Sequence, residues 1–168
     1  MRTYIGIDPG VRGFISVRLG VDMSYSFLSL HDIGIGDIYS FLRSVYDVSG
    51  GDVVCCLEDV HALHGSSAGS TFSFGWCKGM LEGVLVGCGI GYVLVLPRVW
   101  QGCLWCSGDR EYVSRGGKRV LDVKGTSINC CRRLFPGIDL RRSERCKVVD
   151  DNKCDSLLLC EYGRRNNF

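Results

Sequence analysis

The sequence predicts an α/β fold with a five-stranded mixed sheet flanked by helices. Three short strand patterns follow one another at the N-terminus, and helical patterns then alternate with two apolar strand patterns. The predicted strands are residues 4–8, 13–18, 24–30, 53–58 and 92–96. Because the fourth is a continuous apolar run that follows a helix, we expect it to be buried and parallel to a neighbour.

Four helices are predicted around this sheet. Asp37 is placed to cap the first of them, and its apolar residues recur at helical spacing up to the Gly50-Gly51 pair. The other predicted helices span about residues 70–88, 125–135 and 151–162. Helices that alternate with the last two strands are typical of a mixed α/β sheet.

The second predicted helix contains a stripe of glycines with a four-residue period. They are Gly75, Gly79, Gly83 and Gly87. A glycine in a helix costs up to about 1 kcal/mol relative to alanine, so four on one stripe predict close approach by another backbone. That backbone belongs either to the sheet or to a second subunit.

Residues 101–123 mix glycine, serine and charged residues with few periodic apolar positions, so we expect a long basic surface loop there. Its basic residues are Arg110, Arg115, Lys118 and Arg119. The length of 168 residues fits one domain over residues 1–168.

The composition is that of a folded globular chain, with 46% hydrophobic and 23% charged residues. No window supplies the roughly 20 apolar residues that a membrane span needs, so no membrane partner is expected. Residues 1–100 have 6 Lys and Arg against 9 Asp and Glu, a net charge of −3. Residues 101–168 have 14 against 9, a net charge of +5. This asymmetry favours a polyanionic partner, and a solvated basic surface is the alternative.

Eleven cysteines without a secretion signal are interpreted as reduced, buried thiols in an intracellular protein. The compartment is the cytoplasm of a bacterium or phage host, or a mitochondrion or plastid. A zinc site is the alternative, because Cys103 and Cys106 form a CxxC pair that Cys130 and Cys131 could complete.

Two carboxylates close predicted apolar strands. Asp8 ends the first strand and Glu58 the fourth. A carboxylate in such a place costs several kcal/mol unless a positive charge compensates it. If the two strands are neighbours, both side chains face one cleft and form a hard oxygen site for Mg²⁺. The alternative for each residue is a turn cap.

Asp151 and Asp155 lie at positions i and i+4 of the last predicted helix. On one helical face these like charges repel, and a shared cation would make the pair favourable. The alternative is that Asp150 or Asp151 is an N-cap and Asp155 is merely exposed.

Four carboxylates from two strands and a helix suit two Mg²⁺ ions that direct water onto a phosphodiester. The three histidines lack HxxxH or HExxH spacing, and the sequence has no GxSxG elbow or phosphate-binding loop. The residues therefore favour a nuclease over these other chemistries.

An ordered series of motifs resembles the RuvC-type Holliday junction resolvases, a family with the RNase H fold, and in particular its compact phage and plastid branch. The motifs are residues 5–10, 57–62, 70–75 with Gly79 and Gly83, 96–100, 134–136, 151–155 and 161–165. The segment at 101–123 departs from the family pattern, as does Asp150, which stands where relatives often have a histidine.

The resemblance implies a catalytic tetrad of Asp8, Glu58, Asp151 and Asp155, with Asp150 as an alternative third ligand. It implies two Mg²⁺ or Mn²⁺ ions, a homodimer, and paired symmetric nicks in four-way DNA junctions that leave 5′-phosphates during recombination or repair. Expected DNA contacts are Phe74, Lys124, Arg132, Arg133, Arg141, Arg142 and Lys153. The alternatives are an RNase H-fold nuclease for flaps, forks or RNA–DNA hybrids, and an inactive junction-binding protein.

Overall fold

Five strands form one twisted sheet and two more form a separate ribbon. The structure, a computed structural model, describes residues 1–60 and 67–168. The strands are β1 Thr3–Asp8, β2 Phe14–Arg18, β3 Tyr25–Ser29, β4 Val53–Glu58, β5 Gly91–Val95, β6 Glu111–Arg115 and β7 Lys118–Asp122. The helices are α1 Ile35–Val48, α2 Ala68–Cys88, α3 Pro97–Leu104, α4 Val123–Leu134 and α5 Asp151–Asn166. Residues 61 and 62 of the second family-like motif lie outside the described ranges.

The main sheet has the order β3-β2-β1-β4-β5. β1 pairs antiparallel with β2, and β2 with β3, whereas β4 lies parallel to both β1 and β5. This confirms the mixed α/β sheet and the parallel, buried β4. The carboxyl ends of β1 and β4 therefore meet at one edge of the sheet, where crossover connections leave room for a site.

Side chains of β1 and β4 alternate between two cores. Ile7 and Leu57 pack with α1 and α2 on one face of the sheet. Cys56 packs with residues of α3, α4 and α5 on the other face. Since successive strand residues point to opposite faces, Asp8 and Glu58 both point to the α5 face.

Helix α5 rests directly on β1 at a glycine. A Cβ at Gly6 would lie 2.0 Å from the Ser156 carbonyl oxygen and 2.3 Å from the Cys160 nitrogen. Ser156 also shares a 2.6 Å hydrogen bond with Ser16 of β2, Oγ to Oγ. Only glycine lets the α5 backbone come this close, and the contact brings the first turns of α5 beside the end of β1.

The glycine stripe of α2 does not pack on the sheet. A Cβ at Gly75, Gly79, Gly83 or Gly87 would meet no heavy atom within 4 Å. The sheet contact comes from the other side of α2, whose buried residues are Cys77, Leu81, Val84, Leu85 and Cys88. Of the two predicted partners for the stripe, the sheet is therefore wrong.

The expectation of a loop over residues 101–123 is also wrong. The segment contains the end of α3, a 3₁₀ turn at Ser107–Asp109, and the β6–β7 hairpin. Pro97 is the first residue of α3, the helical position at which its missing N–H costs nothing. The hairpin turn is Gly116-Gly117, with φ of +57° and +76°, as a two-residue type I′ turn requires.

Helix boundaries differ by a few residues from those predicted. Gly34, not Asp37, is the N-cap of α1, and Asp37 Oδ2 accepts a 3.0 Å hydrogen bond from the Gly34 nitrogen. α5 continues to Asn166, four residues beyond the predicted end. Within the described ranges, each helix is too short or too polar to cross a bilayer.

The cysteines are free thiols, and eight of the eleven are buried. Cys130 and Cys131 lie in the α5-side core, where their thiols donate to the carbonyls of Leu104 and Cys154. Cys103 and Cys106 are exposed. Because Cys130 and Cys131 already have backbone partners in the core, the structure does not support the zinc alternative.

Candidate active site

Asp8 and Glu58 end neighbouring parallel strands. Ile7 is in register with Leu57, so the next residue of each strand, a carboxylate in both, projects from the same edge toward α5. Glu58 is buried, with 8% of its surface exposed, and Asp8 is partly buried. Neither side chain forms an ion pair with another described residue.

The N-terminus of α5 brings three further carboxylates to this edge. Asp150 is the N-cap, and its Oδ1 accepts hydrogen bonds from the backbone nitrogens of Asn152 (3.0 Å) and Lys153 (3.2 Å). Asp151 and Asp155 follow in the first turns of the helix. The structure thus assigns the capping role to Asp150 and leaves Asp151 and Asp155 facing the strand carboxylates.

The electrostatics show that these acids act on one another. Burial raises the pKa of Asp8 well above its usual value, and the negative charges of Asp155, Glu58, Asp151 and Asp150 raise it further. Burial also raises the pKa of Asp155 to about 7, opposed by the nearby Ser127 hydroxyl and reinforced by Glu58 and Asp151. The site is therefore an acidic cluster in which Asp8, Glu58 and Asp155 have no ion pair with another described residue, whereas Asp151 pairs with Lys124 and Asp150 with Arg142.

A divalent cation fits this cluster in charge and donor chemistry. Asp155 Oδ1 is buried without a hydrogen-bond partner among the described residues, and every candidate ligand is a hard carboxylate oxygen, as Mg²⁺ prefers. In the present side-chain conformations, no three acidic, histidine or cysteine residues of the described ranges surround a single ion position. Asp151 Oδ2 instead pairs with Lys124 Nζ at 2.5 Å.

Trp100 of α3 fixes one of these carboxylates. Its indole Nε1 donates a 2.9 Å hydrogen bond to Glu58 Oε1. Burial raises the pKa of Glu58 above its usual value, and the hydrogen bond from Trp100 partly opposes that shift. Trp100 is fully buried, and sequence reasoning placed it within a motif without assigning it a role. A tryptophan four residues into a segment that begins with proline was the available signal.

Comparison with known proteins identifies the fold. A scan of protein-family models finds no match, and a search of curated proteins finds none. RuvC from T. thermophilus, solved in complex with Holliday junction substrate, matches with a TM-score of 0.56 at 12% identity, covering 99% of this chain and 97% of that chain. The fold is that of RuvC. A second Thermus thermophilus RuvC structure matches with a TM-score of 0.55 at 15% identity, covering 98% of this chain and 96% of that chain.

The RuvC-like architecture confirms the predicted RNase H-like fold over nearly the whole chain. The acidic cluster lies in it at the carboxyl ends of the parallel strands, where α/β sheets bind ligands. The correspondence comes from arrangement rather than sequence, since identity is 12–15%.

A polar cleft opens beside the acids of this cluster. Its lining includes Arg12, His31, Lys124, Arg142 and Asp151. Lys124 is exposed apart from its pairing with Asp151. Positive and negative groups that line one cleft suit a ligand carrying negative charge together with cations.

Each of the three nitrogens of the Arg142 guanidinium has a hydrogen-bond partner within the protein. Its Nε donates to Asp150 Oδ2 at 2.7 Å, and its other nitrogens donate to Ser29 Oγ and the Arg12 carbonyl. Its guanidinium also stacks over the ring of Phe14. Arg142 thus connects the N-cap of α5 to the loop between β1 and β2 and to the end of β3.

Three other predicted DNA contacts are likewise engaged within the protein. Arg133 donates to both carboxylate oxygens of the buried Asp109, Arg141 to Asp139, and the buried Lys153 to the Arg141 carbonyl. Burial lowers the pKa of Lys153. By contrast, Arg132 is exposed on α4, and Lys124 exposes 73% of its side chain.

Phe74 lies near the start of α2, partly buried, in a shallow depression with Val11 and Gly69. Phe72 and Trp76 of the same helix are far more exposed, at 74% and 62%. These aromatic side chains lie on a surface of α2 that continues into the glycine stripe.

Proposed function

We propose that this protein is a metal-dependent endonuclease that cuts branched DNA, with four-way junctions as its substrate. One observation carries the proposal: in a RuvC-like fold, carboxylates from β1, β4 and α5 come together at one edge, and three of them, Asp8, Glu58 and Asp155, have no ion pair with another described residue. Such a cluster destabilises a protein that only binds DNA, because buried acids cost free energy and repel phosphates. It is useful to a protein that binds divalent cations there.

The residues that would hold Mg²⁺ or Mn²⁺ are Asp8, Glu58, Asp151 and Asp155. Asp150 is less suited to a ligand role, because Arg142 and two backbone nitrogens already occupy its oxygens. When bound, a pair of such ions activates water and stabilises the leaving 3′-oxygen of a phosphodiester, which leaves a 5′-phosphate.

The other residues of the site position these ligands and the DNA. Trp100 holds Glu58 Oε1 by its indole N–H and keeps that oxygen in one orientation. Lys124 pairs with Asp151 in the free protein, and it would be released to bind a DNA phosphate if a cation took its place at Asp151. Arg12 adds positive charge to the cleft, and the exposed Arg132 of α4 adds it elsewhere on the surface, for backbone contacts that position DNA without reading sequence.

Cutting two opposed strands of a junction calls for two active sites, and we propose that a second copy of this chain supplies the other. The surface that supports this is the apolar groove between α1 and α2, lined by the glycine stripe with Ile35, Tyr39, Trp76, Met80 and Val84. Trp76, Ile35 and Tyr39 expose 62%, 57% and 45% of their surface. Exposed apolar surface beside backbone that can be closely approached is typical of a protein interface.

The test is a cleavage assay on matched substrates. Purified protein is incubated with Mg²⁺ and a synthetic four-way junction, a linear duplex, a flap, a fork and an RNA–DNA hybrid. The proposal expects paired symmetric nicks in the junction with religatable ends and little cutting of linear duplex. Preferential cutting of flaps, forks or hybrids would contradict the proposed junction cleavage and indicate another RNase H-fold nuclease activity. Tight junction binding without cutting would indicate a structural binding protein.

A further inference from the structure

The β6–β7 hairpin, residues Glu111–Asp122, forms a two-stranded ribbon outside the main sheet. We call it the basic ribbon. An isolated hairpin of this size is at best marginally stable in water. The stability of this hairpin therefore depends on the contacts that its base makes with the rest of the protein.

The base of the ribbon is fixed to α4. The Glu111 nitrogen donates a 3.1 Å hydrogen bond to Thr126 Oγ1, and Asn129 Nδ2 donates to Glu111 Oε2 and to the Asp109 carbonyl, both at 3.2 Å. Asp109 is in turn held by both guanidinium donors of Arg133. The ribbon therefore has a rigid attachment and a tip that projects into solvent.

The projecting half of the ribbon is positively charged. Arg115 and Lys118 face each other across the turn, and Arg119 lies on the opposite face, with its guanidinium 4.0 Å from the centre of the Tyr112 ring. Residues 112–121 include no Asp or Glu. None of these three cations forms an ion pair with another residue in the described part of the chain. Their charge is thus free for an external partner.

The basic ribbon adjoins the candidate active site. Its last residue, Asp122, is the N-cap of α4, and two residues later Lys124 pairs with Asp151 of the acidic cluster. The arm thus presents cations that have no ion pair among the described residues, and the site next to it holds Asp8, Glu58 and Asp155, which likewise have none there. A polyanion would pair with the cations of the ribbon and would be cut at the acidic site.

We propose that the basic ribbon is a DNA-binding arm that grips the phosphate backbone of the duplex adjoining the cleavage point. This inference rests on the proposed function and extends it to a segment that the family resemblance leaves unexplained. A two-stranded ribbon has the width that the major groove of duplex DNA admits. Its arginine and lysine side chains suit phosphate oxygens, so the contact positions the duplex without reading its sequence.

The experiment compares two charge-matched double variants. Arg115→Gln/Lys118→Gln removes two cations from the ribbon tip. Arg2→Gln/Arg43→Gln removes two from surface ion pairs with Asp52 and Asp47, whose loss costs little stability. Affinity for a four-way junction and for a linear duplex is measured without divalent ions over a range of salt concentrations, and thermal melting confirms that each variant is folded.

We expect the ribbon variant to bind both DNAs about tenfold more weakly than wild type at about 100 mM salt. The slope of log affinity against log salt should become shallower by about one for each phosphate that the variant no longer binds. The control variant should match wild type in affinity and slope. Equal affinity and slope in the ribbon and control variants would overturn the inference, even if the wild type cuts junctions. Ribbon-dependent duplex binding by a wild type that cuts no DNA would support the ribbon and overturn the proposed nuclease function.

Discussion

The indole N–H of Trp100 and the carboxylate of Glu58 form a 2.9 Å hydrogen bond in the core beside the acidic cluster. Trp100 comes from α3 and Glu58 from the end of β4, so the bond joins the helix after β5 to the edge of the sheet. It satisfies one oxygen of a buried carboxylate and leaves the other for a ligand. Replacing a group that orients a metal ligand in this way typically costs about 10–100-fold in metal affinity or activity.

Trp100→Phe should raise the Mg²⁺ concentration needed for half-maximal cleavage by about 10-fold, because Glu58 loses the donor that orients it. Stability should fall by about 1–3 kcal/mol through the unsatisfied carboxylate. A Mg²⁺ titration of the cleavage rate measures the first effect and urea unfolding the second.

Trp105→Phe is the matched control for that substitution. Trp105 packs edge-on against Trp100 with ring centres 6.0 Å apart, but its indole nitrogen is buried with no hydrogen-bond partner in the described ranges. Trp105→Phe should leave the Mg²⁺ concentration needed for half-maximal cleavage unchanged. Similar Mg²⁺ shifts in both variants would mean that Trp100 acts through packing alone.

Asp155→Asn should stabilise the metal-free protein by about 1–3 kcal/mol at pH 8, because it removes a buried charge that lacks a partner. Mg²⁺ should stabilise the wild type in thermal melts, by about 2.7 kcal/mol at 100 times its dissociation constant. The variant should lose most of that gain. Asp47→Asn, at an exposed ion pair, is the control and should keep it. A full Mg²⁺-induced gain in Asp155→Asn would remove Asp155 from the ligand set.

The Asp109–Arg133 pair should make stability depend on pH at the acid end. Its hydrogen bonds to Arg133 hold the pKa of Asp109 below its usual range, so its folded pKa is lower than its unfolded pKa of about 4. The resulting stabilisation is fully present above about pH 5 and is lost as the pH falls through and below that unfolded value.

Asp109→Asn should therefore lower the free energy of unfolding by about 1–3 kcal/mol at pH 7 and by less at pH 3.5. Urea unfolding at the two pH values measures the difference. Asp139→Asn removes the exposed partner of Arg141 and should change stability little at either pH. A loss from Asp109→Asn that is equal at both pH values would show that the carboxylate charge contributes nothing.

Gly83→Glu should convert the proposed dimer into a monomer. A side chain at this position meets no heavy atom within 4 Å in the single chain, so the fold should be retained while a charge enters the α1–α2 groove. Sedimentation of wild type and variant, free and bound to a junction, measures the change. Gly137→Glu, at another open glycine, should remain dimeric. A monomeric wild type in both states would contradict the dimer.

The sequence was sufficient to predict all five strands of the sheet, because each combines a short apolar pattern with a turn signal. It also predicted that Asp8 and Glu58 face one cleft if their strands are neighbours, and the structure supplies that condition by pairing β1 with β4. Pro97 is a missed signal: no helix is predicted directly after residues 92–96, although proline is common as the first residue of a helix. Gly116-Gly117 is a second one, because two glycines between alternating residues indicate a hairpin, whereas a loop is predicted there.

The partners of the basic residues could not be predicted from sequence. Arg142 and Lys124 look equivalent in a chain with a basic C-terminal half, yet one is bound to the α5 N-cap and the other is exposed beside the acids. These roles depend on tertiary contacts: Lys124 meets Asp151, 27 positions along the chain, and Arg142 also meets Ser29, 113 positions away. Local patterns include no information on such contacts.

The central claim is that acids from β1, β4 and α5 hold divalent cations that cut DNA, and Asp8→Asn tests it most directly. Binding to a four-way junction and Mg²⁺-dependent nicking of the same junction are measured in parallel for wild type and variant. The account predicts that the variant binds the junction as tightly as wild type and does not cut it. Cleavage by Asp8→Asn at the wild-type rate would contradict the account.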